Sequence, residues 1–433
     1  MSGTKCRSHD TAIFFLKASP KEYADMTEQP NMMNEPVSLQ ISQDFDELDT
    51  MQQEWDAFVD SCDGDIYMTF DWLRIWWRYY GKNRMLRIFI FRSGAGLIGI
   101  IPLFFETLGI GPFRIKTAKI VGADFMSASL SLPIHDLYLE AIADRLIHEL
   151  TRIYPFDVLC LGAFSGLSRK VEPLFYTLKK YLDHFSIEKR ETDVQSYIQV
   201  YSSFEEYTAR LNKREREKTR RVQKELQKQE LSLHSRFASD VEFSTFFESF
   251  VEIHQKKWQK EGNAGYFIAW PLSYEFNKEV ALRQLKLGRL RLQEINLNDK
   301  VVGYIYAFRF GQLFTACLDA RNDLELSWHL PFYRLAFTEL IREAIKEKMV
   351  WIDLGRGRYE HKVHLGGIEL PIYTIFLSSK HGTAKIRIKL FRTSARVLHL
   401  LYYKLWRARL APALKVTPKP FKLLWIRTHL LSD

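Results

Sequence analysis

Residues 289–320 read RLRLQEINLNDKVVGYIYAFRFGQLFTACLDA and are followed, across a loop and a helical run, by VWIDL at 350–354. The first stretch is three β-branched and aromatic runs parted by the turn residues LNDK and GQ, which predicts an antiparallel three-strand meander. After the loop RNDLELSWHL, Pro331 stands as a first-turn residue of a helix through PFYRLAFTELIREAIKEK. A strand, a crossover helix and a further short apolar strand make a βαβ unit. LFTACLDA and VWIDL should therefore be parallel neighbours. Both close on aspartate, Asp319 and Asp353, and ligands in open α/β sheets bind beyond the carboxyl ends of such strands.

The next residues, GRGRYEHKVHLGG at 355–367, admit two readings. One is a turn, in which glycine supplies positive φ and Asp353 bonds its own following backbone. The other is a basic loop holding an anion at the strand end. A plain turn has no need of Arg356, Arg358, His361, Lys362 and His364 in one loop, because like charges repel unless something anionic answers them. Asp353 and Glu360 can answer part of that charge internally. The expectation is that Arg356 and Lys362 contact phosphate, that Gly355 and Gly357 admit a close backbone, and that Tyr359 lies near the reacting centre.

The chain has 433 residues, 46% hydrophobic and 14% aromatic, which suits about two or three globular domains and excludes a disordered chain. Its four cysteines, Cys6, Cys62, Cys160 and Cys317, form no CxxC pair and no cysteine–histidine grouping. Neither a disulfide framework nor a metal site is expected. The apolar run Ala12–Leu16 is too short for a secretory core, and no segment approaches the ~20 apolar residues of a spanning helix. The expected location is cytoplasmic. The net charge of +10 is uneven: from Lys385 onward the only acidic residue is Asp433, while LFRTSARVLHLLYYKLWRARL is studded with bases. Such a tail either lies on the anionic inner face of a membrane through residues 385–410 or packs on the body with its charged face in water.

Punctuation divides the chain into an extension over 1–36, a first module over 37–200, a second over 201–380 and a basic helical tail over 381–433. FDWLRIWWRYYG has helical spacing and leads into LRIFIFRSGAGLIGIIPLFFET, a hairpin whose SGAG turn precedes a strand and so is no phosphate loop. Residues 204–231 read as one helix rich in bases, either solvated through i,i+4 pairs or offering a face to phosphate-rich partners. On the next helix Phe243, Phe247, Phe250, His254 and Trp258 share one side, which gives His254 apolar surroundings.

These pieces resemble a known family. WDAFVDSC, IYMTFDWLRIWWRYYG, LIGIIPLF, LNKREREKTRRVQKEL, FVEIHQKKW, RLRLQEINLNDKVVGYIYAF and WIDLGRG are similar to the bacterial CelD-like acetyltransferases associated with cellulose and exopolysaccharide production. The likeness spans residues 40–380 and implies an α/β protein of two tandem GNAT-like modules, an arrangement shared with Fem-type aminoacyl transferases. It also implies that the second module binds acyl-CoA at a helix start formed by Ser327, Trp328, His329, Leu330 and Phe332, with Trp328 and His329 standing where relatives place proline and glycine. Acyl transfer needs a base, an oxyanion donor and an acid for the thiolate. Asp319 and Asp353 are base candidates by position, Glu294 and His254 by type, and Tyr359 is the acid candidate. The implied reaction acylates an amino or hydroxyl group of a sugar- or lipid-linked envelope precursor. The alternatives are a Fem-like transferase that uses aminoacyl-tRNA, and a catalytically silent nucleotide-binding or scaffold module.

Overall fold

The computed structural model describes residues 36–109, 111–322, 330–414 and 416. Twelve strands form one sheet: β1 (Val37–Ser42), β2 (Met85–Ser93), β3 (Gly96–Leu108), β4 (Ile115–Ile120), β5 (Val158–Phe164), β6 (Phe185–Gln199), β7 (Leu233–Phe237), β8 (Leu290–Leu297), β9 (Lys300–Phe310), β10 (Leu313–Arg321), β11 (Trp351–Arg356) and β12 (Ile368–Ser379). Their spatial order is β1-β2-β3-β4-β5-β12-β6-β11-β10-β9-β8-β7. The first module carries helices α1 (Gln52–Ser61), α2 (Phe70–Tyr80), α3 (Leu139–Arg152) and α4 (Val171–Leu178). The second carries α5 (Phe204–Arg210), α6 (Lys213–Lys228), α7 (Phe243–Lys260), α8 (Ser273–Lys286), α9 (Phe332–Lys346) and α10 (Glu360–His364), and α11 (Ala384–His399) begins the tail.

The two modules repeat one plan. An antiparallel meander, β1–β4 or β7–β10, is followed by a crossover helix, α3 or α9, and then by a strand parallel to the last of the meander. The parallel partners are β4 with β5 and β10 with β11, the second as expected from the sequence. All other strand-to-strand pairings among the described residues are antiparallel. The modules are also interlocked, because β12 lies between β5 and β6 while β6 lies between β12 and β11. Each module is thus completed by the last strand of the other. The joining ladder is long, running from Phe185 opposite Ser379 to Tyr197 opposite Ile368.

Packing tightens the joint. The apolar face of α2 buries Trp72 and Trp76, and the Trp72 ring meets Phe276 and Phe308 of the second module edge-on at 5.8 and 5.3 Å. Edge-to-face aromatic pairs add about 0.5–1.5 kcal/mol each beyond their burial. Two ion pairs rim this contact, Arg283 to Asp71 at 2.6 Å and Arg289 to Asp56 at 2.7 Å. A second core, on the opposite face, holds Phe314, Leu335, Leu340 and Ile352 beneath α9.

Two expectations change in detail. The single basic helix over 204–231 is two helices, because Ser203 and Asn212 each cap a new start, their side chains accepting from the N–H of Glu206 and Glu215 at 3.1 and 3.0 Å. Satisfying orphan donors in this way lets a helix begin anew after Leu211. The tail is helical, as expected, but it divides its surroundings. Ile388, Phe391 and Ala395 are buried against the body, and Arg387 pairs with Asp157. Beyond Arg396 the helical backbone continues with Leu400, Leu401 and Leu410 exposed.

Candidate active site at the strand fork

β10 and β11 pair only from Leu313–Thr315 to Trp351–Asp353 and then part. On one side β10 bulges between Ala316 and Leu318. On the other, Gly355 and Gly357 take φ of 76° and 90°, a region that strains side-chain-bearing residues, so β11 turns away after Asp353. Asp353 therefore stands at the apex of a fork. Its carboxylate is enclosed, with Oδ1 accepting from the Gly355 N–H at 2.7 Å and Oδ2 from Gln195 Nε2 at 2.5 Å. Burial pushes its pKa up to about 6, against the pull of those two hydrogen bonds and of Lys362. Such a group is ionised at neutral pH yet basic enough to take a proton.

The first module has the same fork between β4 and β5, but its own chain fills it. The Leu130 N–H donates to the Ala163 carbonyl at 2.7 Å, and Leu130 bridges to Phe164. Near the apex, Lys119 pairs with Asp124 at 2.6 Å and with Glu106.

The basic loop is directed largely inward. Lys362 is buried, and its ammonium donates to the carbonyls of Gly355, Arg356 and Gly357 at 2.8, 2.7 and 3.3 Å. All three donors are engaged within the loop, which differs from the expected phosphate contact. Burial lowers its pKa to about 8. Arg356 donates through Nε to the Ala128 carbonyl of the first module, and its terminal nitrogens have no protein acceptor among the described residues. The Tyr359 ring, more than half exposed, sits 5.0 Å from the Lys362 ammonium. Replacing Lys362 by Ala leaves three carbonyls without their donor. The expected cost is about 2–3 kcal/mol, read as an earlier urea midpoint.

The other sequence candidates are dispersed. Glu294 lies on β8, with Oε1 accepting from Arg236 and Asn296 at 2.9 and 3.1 Å and Oε2 from Tyr304 at 2.7 Å. β9 separates it from the fork, and its oxygens are occupied. His254 does face apolar neighbours. Its Nδ1 donates to the Asp319 carbonyl at 2.9 Å, and the buried Nε2 has no partner among the described residues. Burial holds this imidazole below its usual pKa, so it is neutral at pH 7. Asp319, partly buried on the β10 arm, lies close enough to His361 to oppose the effect of burial there. Ser327, Trp328 and His329 lie outside the described residues. Leu330 and Phe332 belong to the core, and the Phe332 ring covers Gly303 so closely that a Cβ there would meet Cε2 at 2.4 Å. Toward a ligand they offer backbone rather than side chain.

At the α9 start Pro331 is the N-cap and its side chain offers no cap, and among the described residues no side chain accepts from the N–H groups of Phe332 and Tyr333. Beside it, Arg334 forms a buried ion pair with Glu215 of α6, and Glu215 also lies 2.9 Å from Lys218 and 3.9 Å from His364. α6 thus clamps the α9 start and α10 together.

Several residues at the fork had no sequence signal. Gln195 reaches Asp353 from β6. Asp65 and Tyr67 arrive from a turn of the first module, where the Tyr67 hydroxyl lies 3.5 Å from Cys317 Sγ on the β10 bulge. Burial pushes Asp65 up to about 8, and the Asp353 charge adds to the effect. Only the strand exchange and the α2 packing bring these residues together.

Residues 213–363, which contain this fork, match the family described as acetyltransferase (GNAT) domain. The match runs from the start of α6 through the fork into α10, so the likeness to this family lies within the second module. Among solved structures, FemX is similar at 11% identity and a TM-score of 0.54, over 75% of this chain and 95% of that one. A conserved protein of unknown function from Bacteroides thetaiotaomicron gives 11% identity and a TM-score of 0.47 over 76% and 97%. A tandem GNAT protein from the clavulanic acid biosynthesis pathway gives 10% and 0.40 over 80% and 99%. At this identity the likeness to FemX concerns the fold alone. No curated protein matches the chain.

Proposed function

We propose that the protein is an N-acetyltransferase that carries an acyl group from acyl-CoA to a sugar-linked cell-envelope or exopolysaccharide precursor. The observation that carries this reading is the second fork, which has a buried, raised-pKa carboxylate at its apex and an uncapped helix start on the element that follows β10. The thioester enters between β10 and β11, and the pyrophosphate meets the first-turn N–H groups of α9, after Ser327, Trp328 and His329. Attack of the acceptor nitrogen on the carbonyl carbon forms the C–N bond, Asp353 takes the nitrogen's proton, and the C–S bond breaks. The sugar-linked acceptor rests on the resemblance of the motifs quoted above. Calorimetry against acetyl-CoA, longer acyl-CoAs and free CoA tests the donor. Micromolar binding is expected, and absence of binding to all three would refute the reading.

A second reading has its own observation. Lys213, Arg214, Arg220, Arg221, Lys224 and Lys228 of α6 are exposed, and none pairs with a carboxylate among the described residues. That face suits RNA phosphates, as an aminoacyl-tRNA donor would require. Binding of tRNA that falls steeply between 50 and 200 mM salt would favour it.

The tail supports action at the inner face of a membrane. No described helix is long and apolar enough to span a bilayer, yet past Arg396 exposed leucines accompany Lys404, Arg407 and Arg409 with no acidic residue before Asp433. Truncation after Arg396 keeps the buried Phe391 and Ala395. The truncated protein is expected to melt as the full chain does but to lose co-sedimentation with anionic phospholipid vesicles. Insolubility of the shortened chain would instead assign the tail to the packed body.

A further inference from the structure

The sequence offers Tyr359, inside the second module, as the acid for the departing thiolate. That side chain is more than half exposed and leans over Lys362. A different tyrosine occupies the fork. Tyr67 is 2% exposed, and its hydroxyl lies 3.5 Å from Cys317 on the β10 arm. It is also close enough to both Asp353 and Arg356 of the β11 arm for each pair to influence the other's ionisation. The hydroxyl is thus flanked by both diverging strands, just beyond the last paired residues, Thr315 and Asp353.

Its position is held firmly. The turn Asp65–Thr69 is pinned by Asp65 Oδ1 accepting from the Tyr67 N–H at 3.0 Å, by Ser131 Oγ accepting from the Asp65 N–H at 3.1 Å and by Trp55 Nε1 donating to the Met68 carbonyl at 2.9 Å. The Trp72 ring meets Tyr67 edge-on at 4.9 Å. Against this fixed backdrop the hydroxyl has a single weak partner among the described residues, a sulfur. A proton donor so placed is preorganised rather than satisfied.

We infer that Tyr67, supplied by the first module, is the general acid of the second module's reaction, donating its hydroxyl proton to the thioester sulfur as the C–S bond breaks. This rests on the acyl-CoA reading. In the balanced step the acceptor nitrogen gives its electron pair to the carbonyl carbon and its proton to Asp353. The C–S pair passes to sulfur, which takes the Tyr67 proton, and the free thiol leaves. Tyr67 recovers its proton from solvent and Asp353 returns its own. Burial and the neighbouring Asp353 hold the phenol pKa well above its ordinary value, so it is neutral at every working pH. The active centre is therefore composite, and the first module contributes to chemistry as well as to packing.

The test compares two donors on the full-length protein and on Tyr67→Phe, measuring thiol release with glucosamine as acceptor. Acetyl-CoA has a poor leaving group that needs protonation, whereas S-phenyl thioacetate releases a thiolate that does not. The variant is expected to lose about 10²–10³-fold on acetyl-CoA and less than about fivefold on the phenyl thioester. Because the ratio of the two rates is read on whatever fraction folds, a change in stability does not imitate the effect. Equal losses on both donors, or acetyl-CoA turnover within twofold of wild type, overturn the role of Tyr67 while leaving the acyl-CoA reading intact. If wild type itself releases no thiol above the uncatalysed rate and binds no acyl-CoA in calorimetry, the underlying reading falls and this inference falls with it.

Discussion

Asp353→Asn is expected to lower acetyl transfer by about 10²–10⁴-fold while leaving the fold in place. The amide retains an oxygen that can accept from the Gly355 N–H, so the turn at the fork keeps its hydrogen bond. What it cannot do is take a proton. Wild-type kcat/KM should rise with pH through the Asp353 value of about 6 and then level, because only the ionised carboxylate acts as base. The variant should show no such rise. Stability gives an independent reading with the opposite slope. A carboxyl raised from 3.8 to about 6 on folding stabilises the protein fully below pH 4, and that contribution is lost as pH rises through 6. The amount is about 3 kcal/mol, and it should be absent from the denaturation profile of the variant. A pH–rate profile of Asp353→Asn parallel to wild type would move the base elsewhere, with the unpartnered His254 Nε2 next in line.

The second large effect concerns the clamp over the α9 start. Arg334 and Glu215 have side chains only 5% and 4% exposed. Removing one partner of such a pair strands the other charge, at a typical cost of 3–5 kcal/mol. Arg334→Ala should therefore melt markedly earlier and, because α6 and α9 meet through this pair, should weaken acyl-CoA binding in the fraction that remains folded. The double variant Glu215→Gln, Arg334→Met removes both charges and should recover most of the stability. Arg342→Ala, whose partner Glu339 lies on the same helix at 3.4 Å and whose own side chain is half exposed, should cost under about 1 kcal/mol. Equal melting shifts for Arg334→Ala and Arg342→Ala would show that the clamp carries no such energy.

The sequence by itself determined the local architecture of the second module. Turn residues at LNDK and GQ, a crossover helix opened by proline and two short apolar runs give a meander and a parallel neighbour through short-range rules, and Asp353 stands out as the acidic residue of the second run, although the strand itself continues to Arg356 and only its pairing with β10 stops at Asp353. The hairpin after FDWLRIWWRYYG and the helical tail were legible for the same reason. Three things were decided by tertiary structure alone. The exchange of β6 and β12 between modules leaves no trace in periodicity, because a strand alternates in the same way whichever sheet neighbours it finds. The direction of the basic loop depends on which acceptors lie within reach, and for Lys362 these are the carbonyls of its own loop. The presence of Tyr67 beside Cys317, 250 positions away in the chain, follows from the packing of the first module on the second. Hydrogen-bonding rules act over a few residues and can be read along the chain, whereas the contents of the fork depend on burying Trp72 against Phe276 and Phe308, and that partnership exists only in the assembled core.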